Sequence, residues 1–261
     1  MYAGRWKIQI NPGGLLLREI SKKIMMMNIE EHIKNNLPVM MYIHGFRSGA
    51  NGSKREQLQK HFEGKFRVIA PEVDADPLKS LAIIDEIIAR EKPQIIVGTS
   101  LGGWMTLMCN SQDALLVVVN PCMNPKETLS QWKDEELEYF CPRLDGVQTY
   151  TVTQSVLDKY NLYDTMEALD EKCSRIYALC STRDELLGTS HIDVLRPILS
   201  RLPYVKAMHF NTTDDFGHRC TGTGMNHLFK LLDDIDGQRI VRIIRTSQQM
   251  EDFIKELGLR K

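Results

Sequence analysis

From Pro38 onward, short apolar runs alternate with stretches of helical character, and this alternation narrows the fold more than any other feature of the chain. Val39–Ile43, Phe66–Ala70, Gln94–Val97, Leu115–Val119, Arg175–Cys180 and Val205–Phe210 read as six strands. They are continuous β-rich runs rather than apolar–polar alternations. Strands that read this way are buried on both faces, and when helices separate them they imply a parallel sheet covered on both sides. The expected architecture is therefore α/β, with a doubly wound, mostly parallel sheet. The connecting stretches carry helix signals. Ser53 and Glu56 stand three apart, as a capping box requires, ahead of a helix with Leu58 and Phe62 on one face. Asp76-Pro77 pairs a cap residue with a proline at the first helical position. Leu81, Ile84 and Ile88 follow at helical spacing, and Lys92-Pro93 ends the run.

Two segments break this rhythm. Residues 121–173 separate the fourth and fifth strands and mix aromatic side chains (Trp132, Tyr139, Phe140, Tyr150, Tyr160, Tyr163) with charges. A structureless loop of that length is uncommon in a compact domain. A small, mostly helical insertion that caps the sheet is expected instead. Residues 1–37 form an N-terminal extension, with Trp6–Ile10 alternating like an edge strand and Leu15–Asn36 able to form a helix. Residues 38–261 then make one domain, with a short strand (Ile240–Ile244) and a helix (Gln248–Leu257) in its tail.

Charge and composition exclude several classes. Lys plus Arg number 33 and Asp plus Glu 34, a net charge of −1, so the basic excess of a nucleic-acid binder is missing. No apolar run approaches the roughly 20 residues of a membrane span. The first residues lack the apolar core of a secretory signal. The six cysteines include no C-x-x-C pair, which argues against a zinc cluster or a dithiol centre and suits free thiols in a reducing cytoplasm.

Gly98-Thr99-Ser100-Leu101-Gly102 is a G-x-S-x-G match. At average glycine and serine frequencies, chance gives on the order of 0.1 such matches in a chain of this length. Its setting sharpens the signal: Ile95-Ile96-Val97 form a strand before it, and Gly103–Cys109 can form a helix after it. That is the strand–turn–helix in which a nucleophilic serine is held exposed on a strained turn. The helix start offers free N–H groups and partial positive charge beside it. His44-Gly45-Phe46 follows the first strand directly. A loop there supplies one oxyanion amide and the residue after the nucleophile the other, which assigns the backbone N–H groups of Phe46 and Leu101. The His44 side chain itself is expected to bond nearby backbone.

A serine nucleophile needs a base and an orienting acid, in the chain order serine, acid, histidine. Asp184 lies just past the fifth strand and His218 just past the sixth, so Ser100, Asp184 and His218 satisfy the order. Glu185 is read as the start of a polar turn. His32 and His61 lie far upstream on helix-like stretches, His209 falls in a strand, and His191 and His227 fall in helices. No metal or organic cofactor is expected: G-x-x-x-x-G-K, H-E-x-x-H and a post-strand G-x-G-x-x-G are all missing. Asp74-Ala75-Asp76 is read as a loop and helix cap rather than a cation site.

Tyr42-Ile43-His44-Gly45-Phe46, Val97-Gly98-Thr99-Ser100-Leu101-Gly102-Gly103-Trp104, Val117-Val118-Val119-Asn120-Pro121 and Gly217-His218 together resemble the YqiA-like esterases of the α/β-hydrolase superfamily. The resemblance runs from about Val39 to about Ile235. It implies the α/β-hydrolase fold and a serine hydrolase of small acyl esters, with Ser100, Asp184 and His218 as its triad. A thioesterase or peptidase of the same fold, or a non-catalytic binding protein of that shape, is the alternative. Residues 1–37 and the tail beyond Gly237 exceed the compact family pattern.

Overall fold

The computed structural model describes residues 37–199 and 209–238. The helix and strand expected in residues 1–36, and both elements expected after residue 239, lie outside these residues. Six strands form the central sheet: β1 (Val39–Ile43), β2 (Arg67–Ile69), β3 (Ile95–Thr99), β4 (Leu115–Val119), β7 (Ile176–Ser181) and β8 (Phe210–Thr213). Their spatial order is β2-β1-β3-β4-β7-β8, and every neighbouring pair is parallel.

The two faces of the sheet account for the apolar runs. Met41, Ile43, Ile96, Leu116, Val118 and Ala178 belong to one core, Met40, Tyr42, Ile95, Val97, Val117 and Leu179 to the other. Successive side chains of a strand point to opposite faces, so a strand buried on both sides must be apolar at every position. The first core is closed by helix α2 (Pro77–Glu91), through Leu81, Ile84 and Ile88, and by α3 (Leu101–Met108), through Trp104 and Leu107. The second is closed by α1 (Ser53–His61), through Leu58, and by a helix over residues 223–238, through Leu228 and Leu232. At about 25 cal/mol per Å² of apolar surface removed from water, these two cores supply the main drive to fold.

Helix α2 starts as its sequence dictates. The Asp76 carboxylate accepts from Leu78 N–H at 3.1 Å and Lys79 N–H at 3.4 Å, and Pro77 takes the first helical position. Asp74 is drawn into the same turn, accepting from Asp76 N–H at 2.8 Å. Helix α1 departs from expectation. Gly52 is its cap residue, no side chain caps it, and Ser53 is already helical. A serine inside the first turn is not placed to serve as the cap, so the Ser53–Glu56 capping box does not form.

Residues 121–173 contain α4 (Pro125–Ser130), α5 (Gln154–Lys159) and α6 (Thr165–Lys172). They also contain an antiparallel pair, β5 (Glu136–Glu138) with β6 (Thr149–Thr151), that a mostly helical reading does not include. Three-residue strands with polar ends are too short to show a period in the sequence. Strand β8 likewise lies later than Val205–Phe210. It is a polar strand, Phe-Asn-Thr-Thr, at the edge of the sheet and paired only with β7 among the described residues, and residues 205–208 lie outside the described part. Helix α7 (Ser190–Leu199) packs on β7 and β8.

Strand order reverses at β1. The chain passes from β1 outward to β2, then returns to the other side of β1 as β3. In open α/β sheets, ligand sites form outside the carboxyl ends of the strands at such a switch point. The loop His44–Phe46 after β1 and Ser100 after β3 both stand there.

Candidate active site

Ser100 occupies the turn between β3 and α3 with φ 55° and ψ −122°, a conformation that non-glycine residues adopt only under constraint. The constraints are visible. Ser100 N–H donates to Val119 O at 3.0 Å, and Gly103 N–H and Trp104 N–H donate to Ser100 O at 2.9 and 3.2 Å. Gly102 lets the first turn of α3 press against the end of β1: a Cβ there would sit 2.3 Å from Ile43 O.

Sequence reasoning named Ser100, Asp184 and His218, and the structure brings all three together from the ends of β3, β7 and β8. Ser100 Oγ lies 2.9 Å from His218 Nε2. His218 Nδ1 lies 2.8 and 3.0 Å from the two oxygens of Asp184. An ionised carboxylate only accepts, so Nδ1 carries the proton and Nε2 is left to accept from the serine hydroxyl. Asp184 also accepts from Leu186 N–H at 2.9 Å and Leu187 N–H at 2.8 Å. Burial pushes its carboxyl pKa up, but the His218 bond and charge and these two amides outweigh burial and hold it below the ordinary aspartate value. Asp184 is therefore a charged carboxylate near neutral pH.

Three residues hold this arrangement that sequence reasoning gave no part in the site. Asn120 follows β4 with φ 42° and is fully buried. Its Oδ1 accepts from Ser181 N–H at 2.7 Å, and its Nδ2 donates to Gly217 O at 3.3 Å and His218 O at 3.2 Å. One amide side chain thus ties the ends of β4 and β7 to the histidine loop. The Ser181 hydroxyl donates to Phe216 O in the same loop. Glu185 accepts from His218 N–H at 2.8 Å, so it is more than a turn residue. Gly217 serves close approach, since a Cβ there would lie 2.5 Å from Glu185 Oε2. The available signal was Asn120 itself: an asparagine at a strand end ahead of a proline tolerates left-handed backbone and bonds nearby main chain.

The His44 side chain is structural, as expected. Its Nδ1 contacts Gly45 O at 3.0 Å and its Nε2 accepts from Val73 N–H at 3.3 Å, which fixes the loop that presents Phe46. Nearby turn bonds run from Ser48 N–H to Gly45 O and from Gly103 N–H and Trp104 N–H to Ser100 O. Phe46 N–H and Leu101 N–H are left without a backbone acceptor among the described residues. The Phe46 ring packs on Trp132 and Tyr150, at 5.1 and 5.4 Å between centroids, and so links this loop to the inserted segment.

Ser100, His218, Phe46 and Leu101 open into a cavity of about 450 Å³. Leu129 and Trp132 of the inserted segment form part of its wall, with Leu186 and Leu187 beyond Asp184. Three other described histidines are engaged elsewhere: His61 pairs with Asp233, His227 with Asp215, and His209 bonds Ile176 O. Among the described residues no cluster of three or more His, Cys, Asp or Glu side chains is placed to hold a metal. No described helix is long and apolar enough to cross a membrane.

Solved structures of similar fold include Est1E from Butyrivibrio proteoclasticus, 15% identical with a TM-score of 0.60, the match covering 80% of this chain and 91% of that one. Alpha/beta hydrolase domain-containing protein 10 from mouse is 16% identical with a TM-score of 0.53, over 77% of this chain and 90% of its own. A monoacylglycerol lipase from Paleococcus ferrophilus is 16% identical with a TM-score of 0.51, over 75% and 95% respectively. These likenesses establish the fold. No curated protein matches the sequence. A family model, described as an uncharacterised protein family, UPF0227, matches residues 39–197, which span β1 through most of α7 and include both Ser100 and Asp184. The chain belongs to that YqiA-like family, and its fold is the α/β-hydrolase fold.

Proposed function

We propose that this protein is a serine hydrolase that cleaves carboxylic esters through an acyl-enzyme. The observation that carries the reading is the unbroken line of hydrogen bonds from Asp184 through His218 to Ser100, at 2.8 and 2.9 Å. His218 takes the Ser100 proton as the oxygen attacks an acyl carbonyl. The carbonyl oxygen, now an anion, is met by the Phe46 and Leu101 amides. One such donor is worth about 3 kcal/mol of barrier. Asp184 keeps the imidazole in the required tautomer and stabilises its cation. Protonated His218 gives its proton to the departing alcohol, then draws one from water to release the acid and restore Ser100. The route uses no cofactor.

The six cysteines are free thiols, which agrees with work in a reducing cytoplasm. Ser100→Ala tests the proposal. Turnover of a p-nitrophenyl ester should fall by about 10⁴-fold or more while the fold persists. Retention of most of the activity in purified variant protein would overturn it.

A further inference from the structure

The cavity that holds Ser100 and His218 is lined by three cations, Arg47, Lys54 and Arg219, and by no carboxylate among the described residues. Their contacts make them one patch. The Arg47 guanidinium lies 4.4 Å and the Arg219 guanidinium 5.0 Å from the Phe140 ring centroid. Lys54 lies close enough to Arg219 to feel its charge. Arg219 is also the residue that follows His218.

Two partly buried arginines outside the cavity have carboxylate partners. Arg67 meets Glu91 at 2.5 Å and Arg143 meets Asp145 at 2.6 Å. Arg47 spends its Nε on a backbone carbonyl, Glu138 O, at 2.8 Å, and neither the half-buried Lys54 nor the exposed Arg219 has a hydrogen-bonded or ionic partner among the described residues. Burial pulls the Lys54 ammonium pKa down, as expected for a cation removed from water with no anion beside it. Like charges gathered in one cavity repel, and the chain as a whole is one charge negative, so no general basic excess accounts for the patch. Arg47 is held in it by left-handed backbone, φ 62°, which an arginine adopts only against strain. The uncapped start of α1, at Gly52 and Ser53, lines the same cavity.

We infer that Arg47, Lys54 and Arg219 receive an anionic group of the substrate, a carboxylate or a phosphate, so that the preferred ester carries a negative charge close to its scissile bond. The inference rests on the reading of Ser100 as nucleophile, and it names the class of ester that the site selects. Guanidinium and ammonium groups are the side chains that bind such anions through charge-assisted hydrogen bonds.

Matched esters test it. On the acyl side, p-nitrophenyl hydrogen glutarate is compared with its neutral methyl ester. On the alcohol side, the butyrate ester of 4-hydroxybenzoate is compared with that of methyl 4-hydroxybenzoate. Wild-type protein should favour the charged member of at least one pair by about tenfold or more in kcat/KM, the equivalent of one well-made charged contact. Combining Lys54→Met with Arg219→Gln should remove most of that preference, and 0.5 M salt should weaken it. The pair that shows the effect tells which side of the ester carries the charge. Ser100-dependent hydrolysis with equal rates within both pairs would overturn the anion site and leave the esterase reading standing. Calorimetric titration of Ser100→Ala protein with glutarate and with inorganic phosphate gives a readout free of turnover. Binding that the Lys54 and Arg219 changes abolish supports the site even if no ester is cleaved, and no binding of either probe would overturn it.

Discussion

Asn120→Ala is the substitution that reaches furthest from a residue which touches no substrate. In the folded protein it removes an acceptor from Ser181 N–H and a donor from the carbonyls of Gly217 and His218. Each buried group left unpaired costs about 1–3 kcal/mol. Alanine also fits the φ of 42° at this position less well than asparagine, a further cost of about 1 kcal/mol. The expected loss of stability is about 3 kcal/mol, since the two carbonyls shared one donor and partly recover with water. Asn120→Gly loses the same hydrogen bonds but accepts the backbone, so it should be about 1 kcal/mol less damaging than alanine. Both variants free the His218 backbone at its carbonyl. Ester turnover should therefore fall about tenfold to a hundredfold in kcat, with KM little changed, because misplacement of a reacting group by about 1 Å costs that much. Urea unfolding and steady-state kinetics on one p-nitrophenyl ester measure the two effects. If Asn120→Ala stays within 0.5 kcal/mol of wild type and keeps its kcat, the tie between β4, β7 and the histidine loop is not what positions His218.

Asp184→Asn should cost about 10² to 10⁴-fold in kcat/KM through loss of the imidazole's tautomer and charge partner. Glu185→Gln keeps an oxygen that can accept from His218 N–H and should cost less than tenfold, whereas Glu185→Ala removes the acceptor and should cost more than Glu185→Gln. A crippled Glu185→Gln beside a near-normal Asp184→Asn would reverse the assignment of the acid. Acid sensitivity should come in two stages. His191 is fully buried and its pKa is held below the ordinary 6.5 by burial, so its stabilising term is present above about pH 6.5 and is lost as the pH falls and the unfolded chain takes up the proton. Asp184 is held below the ordinary 3.8, so its term is present above about pH 4 and is lost further down. Thermal unfolding midpoints should show an early decline below pH 6.5 that His191→Leu removes and a later one that it does not. Persistence of the early decline in His191→Leu would contradict this.

How far the sequence speaks follows from how local each signal is. Strands β1 and β4 show at their observed bounds because burial on both faces forces five apolar residues in a row. The α2 start shows because Asp76 and Pro77 act on their own turn. The turn at Ser100 shows because the close approach of α3 to β1 admits only glycine at position 102, which writes a motif into the chain. Asp184 and His218 show by their order in the chain, and Asp184 also by its place after the buried strand β7. The edge strand β8 and the β5–β6 pair stay hidden because half-exposed, polar, three- and four-residue strands are defined by their partners, not by their own residues. The ties made by Asn120, Ser181 and Glu185 are hidden for the same reason: each joins residues 33 to 98 positions apart. The cation patch is likewise a property of the fold, since Arg47, Lys54 and Arg219 come from two loops and a helix start.

A fluorophosphonate probe reads out the central claim most directly, because it bonds only to a serine whose hydroxyl is activated by a neighbouring base. Folded wild-type protein, digested after labelling and analysed by mass spectrometry, should carry a single adduct on Ser100. Heat-denatured protein and His218→Ala protein should carry almost none. An unlabelled Ser100 in folded, active-looking protein, or labelling that survives loss of His218 unchanged, would contradict the account.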